Sequence, residues 1–113
     1  MPGDVPTVRV EDLSADAVIL DVREDDEWRW GRIAGARHVP MNQVPQELRH
    51  APGALTPDAT IVVVCKMGGR SAQVTAWLRH QGYDAKNLEG GMLAWAAANR
   101  PMEADGGVPP SVV

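Results

Sequence analysis

The run Thr60-Ile61-Val62-Val63-Val64 constrains this chain more than any other feature. Every residue in it is β-branched, which stiffens the side chain and favours an extended backbone over a helix. It is the clearest strand of the chain, and the nearly continuous apolar run Val18-Ile19-Leu20-Asp21-Val22 predicts another, covered on both faces as in a parallel sheet. A strand of that kind needs a layer on either side, and the fold class it points to is α/β. The run leads directly into Cys65, and the segment Ser71 to Gln81 reads as a helix with Val74, Trp77 and Leu78 on one face. A strand, a short loop carrying the cysteine and a helix therefore follow one another without interruption.

The rest of the chain repeats this alternation without internal repeats. Val8-Arg9-Val10, Val18 to Val22, Ala36 to Pro40 and Ala85 to Leu88 are expected strands. Asp25 and Asp26 are placed to cap a helix running through Glu27, Trp28 and Trp30, with Gly31 ending it. Pro45 suits the first turn of another helix. Pro52, Gly53 and Pro57 mark a loop, Gly82 a helix stop, and Gly90-Gly91 a turn before a last helix from Met92 to Asn99. Of Trp28 and Trp30, at least one is expected to pack in the core; the other reading exposes one of them as an interaction patch. Residues 1–102 read as one domain, and residues 103–113, with Gly106, Gly107, Pro109 and Pro110, read as a flexible C-terminal tail.

The chain of 113 residues carries a formal net charge of −4, which argues against a nucleic-acid-binding surface. No apolar run approaches the ~20 residues of a membrane span. Met1-Pro2-Gly3-Asp4 lacks the basic and apolar regions of a secretory signal, and the expected compartment is the cytoplasm. His38, His50 and His80 show no metal-ligand spacing, so no metal and no cofactor are expected. The one cysteine has no partner for an internal disulfide. Lone cysteines are usually packing residues, and the neighbours of Cys65 decide whether this one is.

Those neighbours are Lys66, Met67, Gly68, Gly69, Arg70 and Ser71. Two glycines let the backbone curl so that successive N–H groups face inward, and a helix start adds the positive end of a dipole. A thiol placed there is expected to have a lowered pKa, aided by the cations of Lys66 and Arg70. The planar fork of Arg70 suits an oxyanion, while Lys66 is expected at the rim. A structural cysteine has no use for such surroundings; a reactive one does.

Four blocks in order resemble the rhodanese domain: Asp21-Val22-Arg23, Gly31 to Ala36, Cys65 to Ser71, and Leu88-Glu89-Gly90-Gly91 with Trp95. The resemblance covers about residues 7–102. It implies a five-stranded, mostly parallel sheet with helices on both faces. It also implies that Cys65 takes a sulfane sulfur from a small anionic donor such as thiosulfate, holds it as a persulfide cradled by the amides of residues 66–70, and passes it to an external thiol, an acceptor protein or cyanide. Arg70 is then expected to bind the anionic substrate, with Asp21, Arg23 and Ser71 as supporting residues. One departure is Arg32, where the family often has histidine.

Two other readings remain beside this one. The fold also houses cysteine phosphatases, whose loops place five residues between cysteine and arginine; here four, Lys66 to Gly69, lie between Cys65 and Arg70. Other rhodanese-like domains are non-catalytic binding or regulatory modules, which usually lose the cysteine. The sequence sets neither the physiological donor and acceptor nor the oligomeric state.

Overall fold

The computed structural model describes residues 5–51, 55 and 58–113. The expected loop at Pro52, Gly53 and Pro57 lies outside them. The strands are β1 (Thr7–Val8), β2 (Val18–Asp21), β3 (Arg37–His38), β4 (Thr60–Val64) and β5 (Asp84–Leu88). They form one sheet in the order β1-β5-β4-β2-β3. All four neighbouring pairs are parallel. The α-helices are α1 (Asp25–Trp30), α2 (Val44–His50), α3 (Gly69–His80) and α4 (Gly91–Ala97). The β-branched run is the central strand, and its last four residues are fully buried, as a strand covered on both faces has to be.

Side chains alternate across the strands, and the two faces collect different clusters. Leu20, Val22, Ile61, Val63 and Ala85 pack with Val44 of α2 and with Val74 and Leu78 of α3; Trp77 lies against the same cluster. Val62, Val64 and Leu88 pack on the other face with Val10, Ile33 and with Met92 and Trp95 of α4. Asn87 is two residues from Ala85, so it shares the α3 face of the sheet.

Several local expectations shift by a residue or two. Val10 leaves the first strand for a 3-10 turn, Val10–Asp12. Helix α1 has Glu24, not Asp25 or Asp26, at its cap position, and the Glu24 N–H donates to Glu27 Oε1 at 3.0 Å. Helix α3 begins at Gly69, two residues before the expected start. Gly31 ends α1 in an extended conformation, φ 178°, that any residue can adopt. Its requirement for glycine comes from elsewhere, because a Cβ there would lie 2.3 Å from the Ser111 carbonyl oxygen.

That contact belongs to residues 103–113. Arg32 and Glu103 exchange two backbone hydrogen bonds of 2.9 Å, the Ser111 N–H donates to the Trp30 carbonyl, and Val112 lies against the second core cluster. Arg32 also pairs with Asp105 at 2.7 Å and sits over the Trp28 ring. The residue that departs from the family pattern thus ties α1 to the segment expected to be a free tail. Trp28 is half-buried, stacked on His38 at 4.5 Å, and Trp30 is exposed; neither belongs to a core cluster. Among the described residues no helix is long and apolar enough to cross a membrane.

Candidate active site

Ligands in open parallel sheets bind beyond the carboxyl ends of the strands. Cys65 stands at that end of the central strand, and residues 66–68 turn the chain into α3. The turn requires Gly68, which adopts φ 115°, a region that side chains with a Cβ rarely enter. With the backbone so bent, the Gly68 N–H points at Cys65 Sγ at 3.1 Å and the Ser71 N–H at 3.4 Å. The Ser71 hydroxyl lies 3.2 Å from the same sulfur. Lys66 is half-buried, while Met67 and Gly69 are exposed.

The sulfur itself is buried, with Cys65 only 1% exposed. Burial pushes its pKa up, but hydrogen bonds from the Ser71 side chain, the Ser71 and Gly68 amides and the Met67 backbone outweigh it, and the thiol lies below its ordinary range. The direction is the expected one, with the inward-facing amides joined by the Ser71 hydroxyl and the nearby cations not among the leading causes. Being an acid with a lowered pKa, Cys65 is thiolate from a lower pH upward than free cysteine. A titration followed by the ultraviolet absorbance of the thiolate is expected to give a midpoint below that of free cysteine. A midpoint at or above that value would mean that burial prevails.

Asn87 completes the loop from β5, and sequence reasoning did not single it out. Its Nδ2 donates to the Gly68 carbonyl at 3.1 Å, and its Oδ1 accepts from the Ser71 hydroxyl at 2.5 Å. Ser71 has one hydroxyl proton and two acceptors in reach, Asn87 Oδ1 and Cys65 Sγ. With a neutral thiol the S–H donates to Ser71 and Ser71 donates to Asn87; with a thiolate the hydroxyl proton turns to the sulfur. The one signal available in the sequence was a β-poor residue inside a strand.

The Gly90-Gly91 turn is the other clamp. Helix α4 begins beneath the cysteine loop, where the Met92 N–H donates to the Cys65 carbonyl at 2.8 Å and the Leu93 N–H to that of Lys66 at 3.1 Å. A Cβ on Gly91 would lie 2.3 Å from the Cys65 carbonyl oxygen, so only glycine permits this approach.

Asp21 and Arg23 are fully buried, so they are not a surface pair. Arg23 Nη2 and Nε donate to Asp21 at 2.7–3.1 Å, and Nη2 also donates to the Gly31 carbonyl at 2.7 Å. The pair therefore anchors α1 to the end of β2. His38 assists, with Nε2 at 2.7 Å from the Arg23 carbonyl oxygen.

Helix α1 in turn presents Glu27 to Arg70. Nη1 reaches Oε1 at 2.7 Å and Nη2 reaches Oε2 at 3.0 Å. The fork expected to face an oxyanion is occupied by a carboxylate, which nothing in the spacing of residues 27 and 70 foretold. Hydrogen bonding to Glu27 raises the Arg70 pKa, and the charge of Cys65 raises it further. The arrangement thus offers a buried, hydrogen-bonded thiolate and one charge-compensated guanidinium. Among the described residues no group of histidine, cysteine, aspartate and glutamate side chains could hold a metal ion.

Comparison with known proteins agrees with this geometry. The profile of the rhodanese-like domain matches residues 8–98. The putative sulfurtransferase YtwF of Bacillus subtilis is 37% identical over 83 residues, covering 74% of this chain and 77% of that protein. The thiosulfate sulfurtransferase GlpE of Pseudomonas putida is 34% identical over 91 residues, covering 80% of this chain and 79% of that protein. Among solved structures, a rhodanese-related protein of Thermoplasma volcanium superposes with a TM-score of 0.74 at 30% identity, covering 86% of this chain and 96% of that one. With the five-stranded parallel sheet and the cysteine loop at its carboxyl edge, these matches make the chain a member of the rhodanese-like domain family.

Proposed function

We propose that this protein is a sulfurtransferase in which Cys65 carries the sulfur as a persulfide. The observation that carries the reading is a thiol at the carboxyl end of the central strand, held below its ordinary pKa by hydrogen bonds from Ser71 and the loop amides. Relatives named sulfurtransferase and thiosulfate sulfurtransferase support it.

The reaction has two displacements. The Cys65 thiolate attacks the outer sulfur of an anionic donor such as thiosulfate. A new S–S bond forms to Cys65, the donor's S–S bond breaks, and sulfite leaves with that bond's electron pair. An external thiol, an acceptor protein or cyanide then attacks the outer sulfur, and Cys65 leaves as thiolate. The amides and hydroxyl around Sγ stabilise the thiolate of the resting form, and again as Cys65 leaves in the second displacement. A covalent intermediate of this kind gives ping-pong kinetics. Because the chain has one cysteine, the persulfide is resolved by an outside nucleophile.

Intact-protein mass before and after thiosulfate tests this. A gain of one sulfur atom, lost again on adding cyanide or a thiol, is the expected result. A reduced, folded protein that gains no sulfur from thiosulfate or from an organic thiosulfonate overturns it, and turnover of an aryl phosphate by that protein would favour the phosphatase chemistry of the fold.

A further inference from the structure

We infer that Glu27 sets how strongly this site favours an anionic sulfur donor, by competing with the donor for Arg70. The inference rests on the sulfur-transfer reading and adds to it a residue that determines donor specificity. Arg70 is the one arginine of the cysteine loop, and its two terminal nitrogens are both spent on the two oxygens of Glu27. Glu27 is the better buried partner, its side chain 15% exposed against 35% for Arg70. It is also fixed from behind by the Glu24 N–H at 3.0 Å. The pair is therefore preorganised and presents no net charge to an incoming donor, whereas Lys66 makes no salt bridge among the described residues.

A carboxylate and the oxygens of thiosulfate make the same bidentate claim on a guanidinium. A donor that relies on Arg70 has to displace Glu27 first, and the more charge it carries, the more it loses to the negative carboxylate left behind. Hydrogen bonding from Arg70 lowers the pKa of the Glu27 carboxyl, so it is ionised and the competition persists at neutral pH. A donor with less charge depends less on the outcome.

Glu27→Gln isolates the effect, because glutamine keeps a carbonyl oxygen for the Glu24 N–H and supports the same helix start. Two donors of different charge are compared, dianionic thiosulfate and monoanionic methanethiosulfonate, whose outer sulfur is transferred with loss of methanesulfinate. Glu27→Gln is expected to raise kcat/KM for thiosulfate by about fivefold, the scale of one half-exposed ion pair, mainly through KM. The thiosulfate-to-thiosulfonate ratio of kcat/KM should rise with it. In an Arg70→Ala background, where no guanidinium is freed, the gain should shrink. An unchanged ratio, or a kcat loss shared equally by both donors, overturns the inference and marks Glu27 as a scaffold residue only. Failure of the wild type to load sulfur from either donor overturns the sulfur-transfer reading instead.

Discussion

Cys65→Ser is expected to lower sulfur transfer by about a thousandfold or more and to leave the fold intact. Removing the nucleophile of a covalent mechanism removes the route itself, and what survives is whatever the binding loop contributes alone. Serine cannot replace it, because a hydroxyl is a far weaker acid than a thiol and the residues around Sγ are donors, not bases. The Gly68 and Ser71 amides stabilise an anion that serine would not supply. Those same donors explain why folding survives: a hydroxyl oxygen accepts their hydrogen bonds as well as sulfur does, and the side chain shrinks only slightly. Steady-state transfer from thiosulfate and thermal unfolding, measured on the same preparation, check both halves. Transfer near the wild-type rate would remove Cys65 from the sulfur-carrying role.

Asp21→Ala is expected to destabilise the protein by about 3–5 kcal/mol, because it strands the Arg23 guanidinium without a counter-charge. Both residues are 0% exposed, so water cannot take over the role of the lost carboxylate. Small domains have about 5–15 kcal/mol in total, and the melting temperature should fall by roughly 10–20 °C. The same change frees the Arg23 backbone N–H, which donates to Asp21 Oδ1 at 3.0 Å. Urea unfolding measures the loss directly. A change under about 1 kcal/mol would show that the guanidinium finds water or another partner when Asp21 is gone.

The two predictions draw on different sources of information. The first rests on neighbours in the chain, and the sequence made it readable. Strand Thr60–Val64, Cys65, two glycines and a helix are consecutive, so β-branching, glycine conformation and helix polarity together define the loop before any tertiary contact is known. The sheet type was readable for the same reason, since an unbroken apolar strand needs cover on both faces. The second rests on burial: the spacing Asp21-Val22-Arg23 looks the same on a surface or in a core.

Residues far apart in the chain supplied the rest. Asn87 reaches the Ser71 hydroxyl because β5 lies beside β4 and its alternation turns residue 87 toward α3. Gly91 must be glycine because α4 starts against the Cys65 carbonyl, whereas the sequence shows only a turn. Gly31 looks like a helix stop until Ser111 is found against it, and Arg70 looks free until Glu27 of α1 is found paired with it.

By itself, then, the sequence determined the strand-loop-helix that holds the thiol, because those preferences act within a few residues. Tertiary structure alone decided what tunes that thiol and its arginine. The partners of Ser71 and Arg70 are chosen by strand order and helix placement, and a hydrogen bond of about 3 Å depends on where the folded backbone puts each group, not on its distance along the chain.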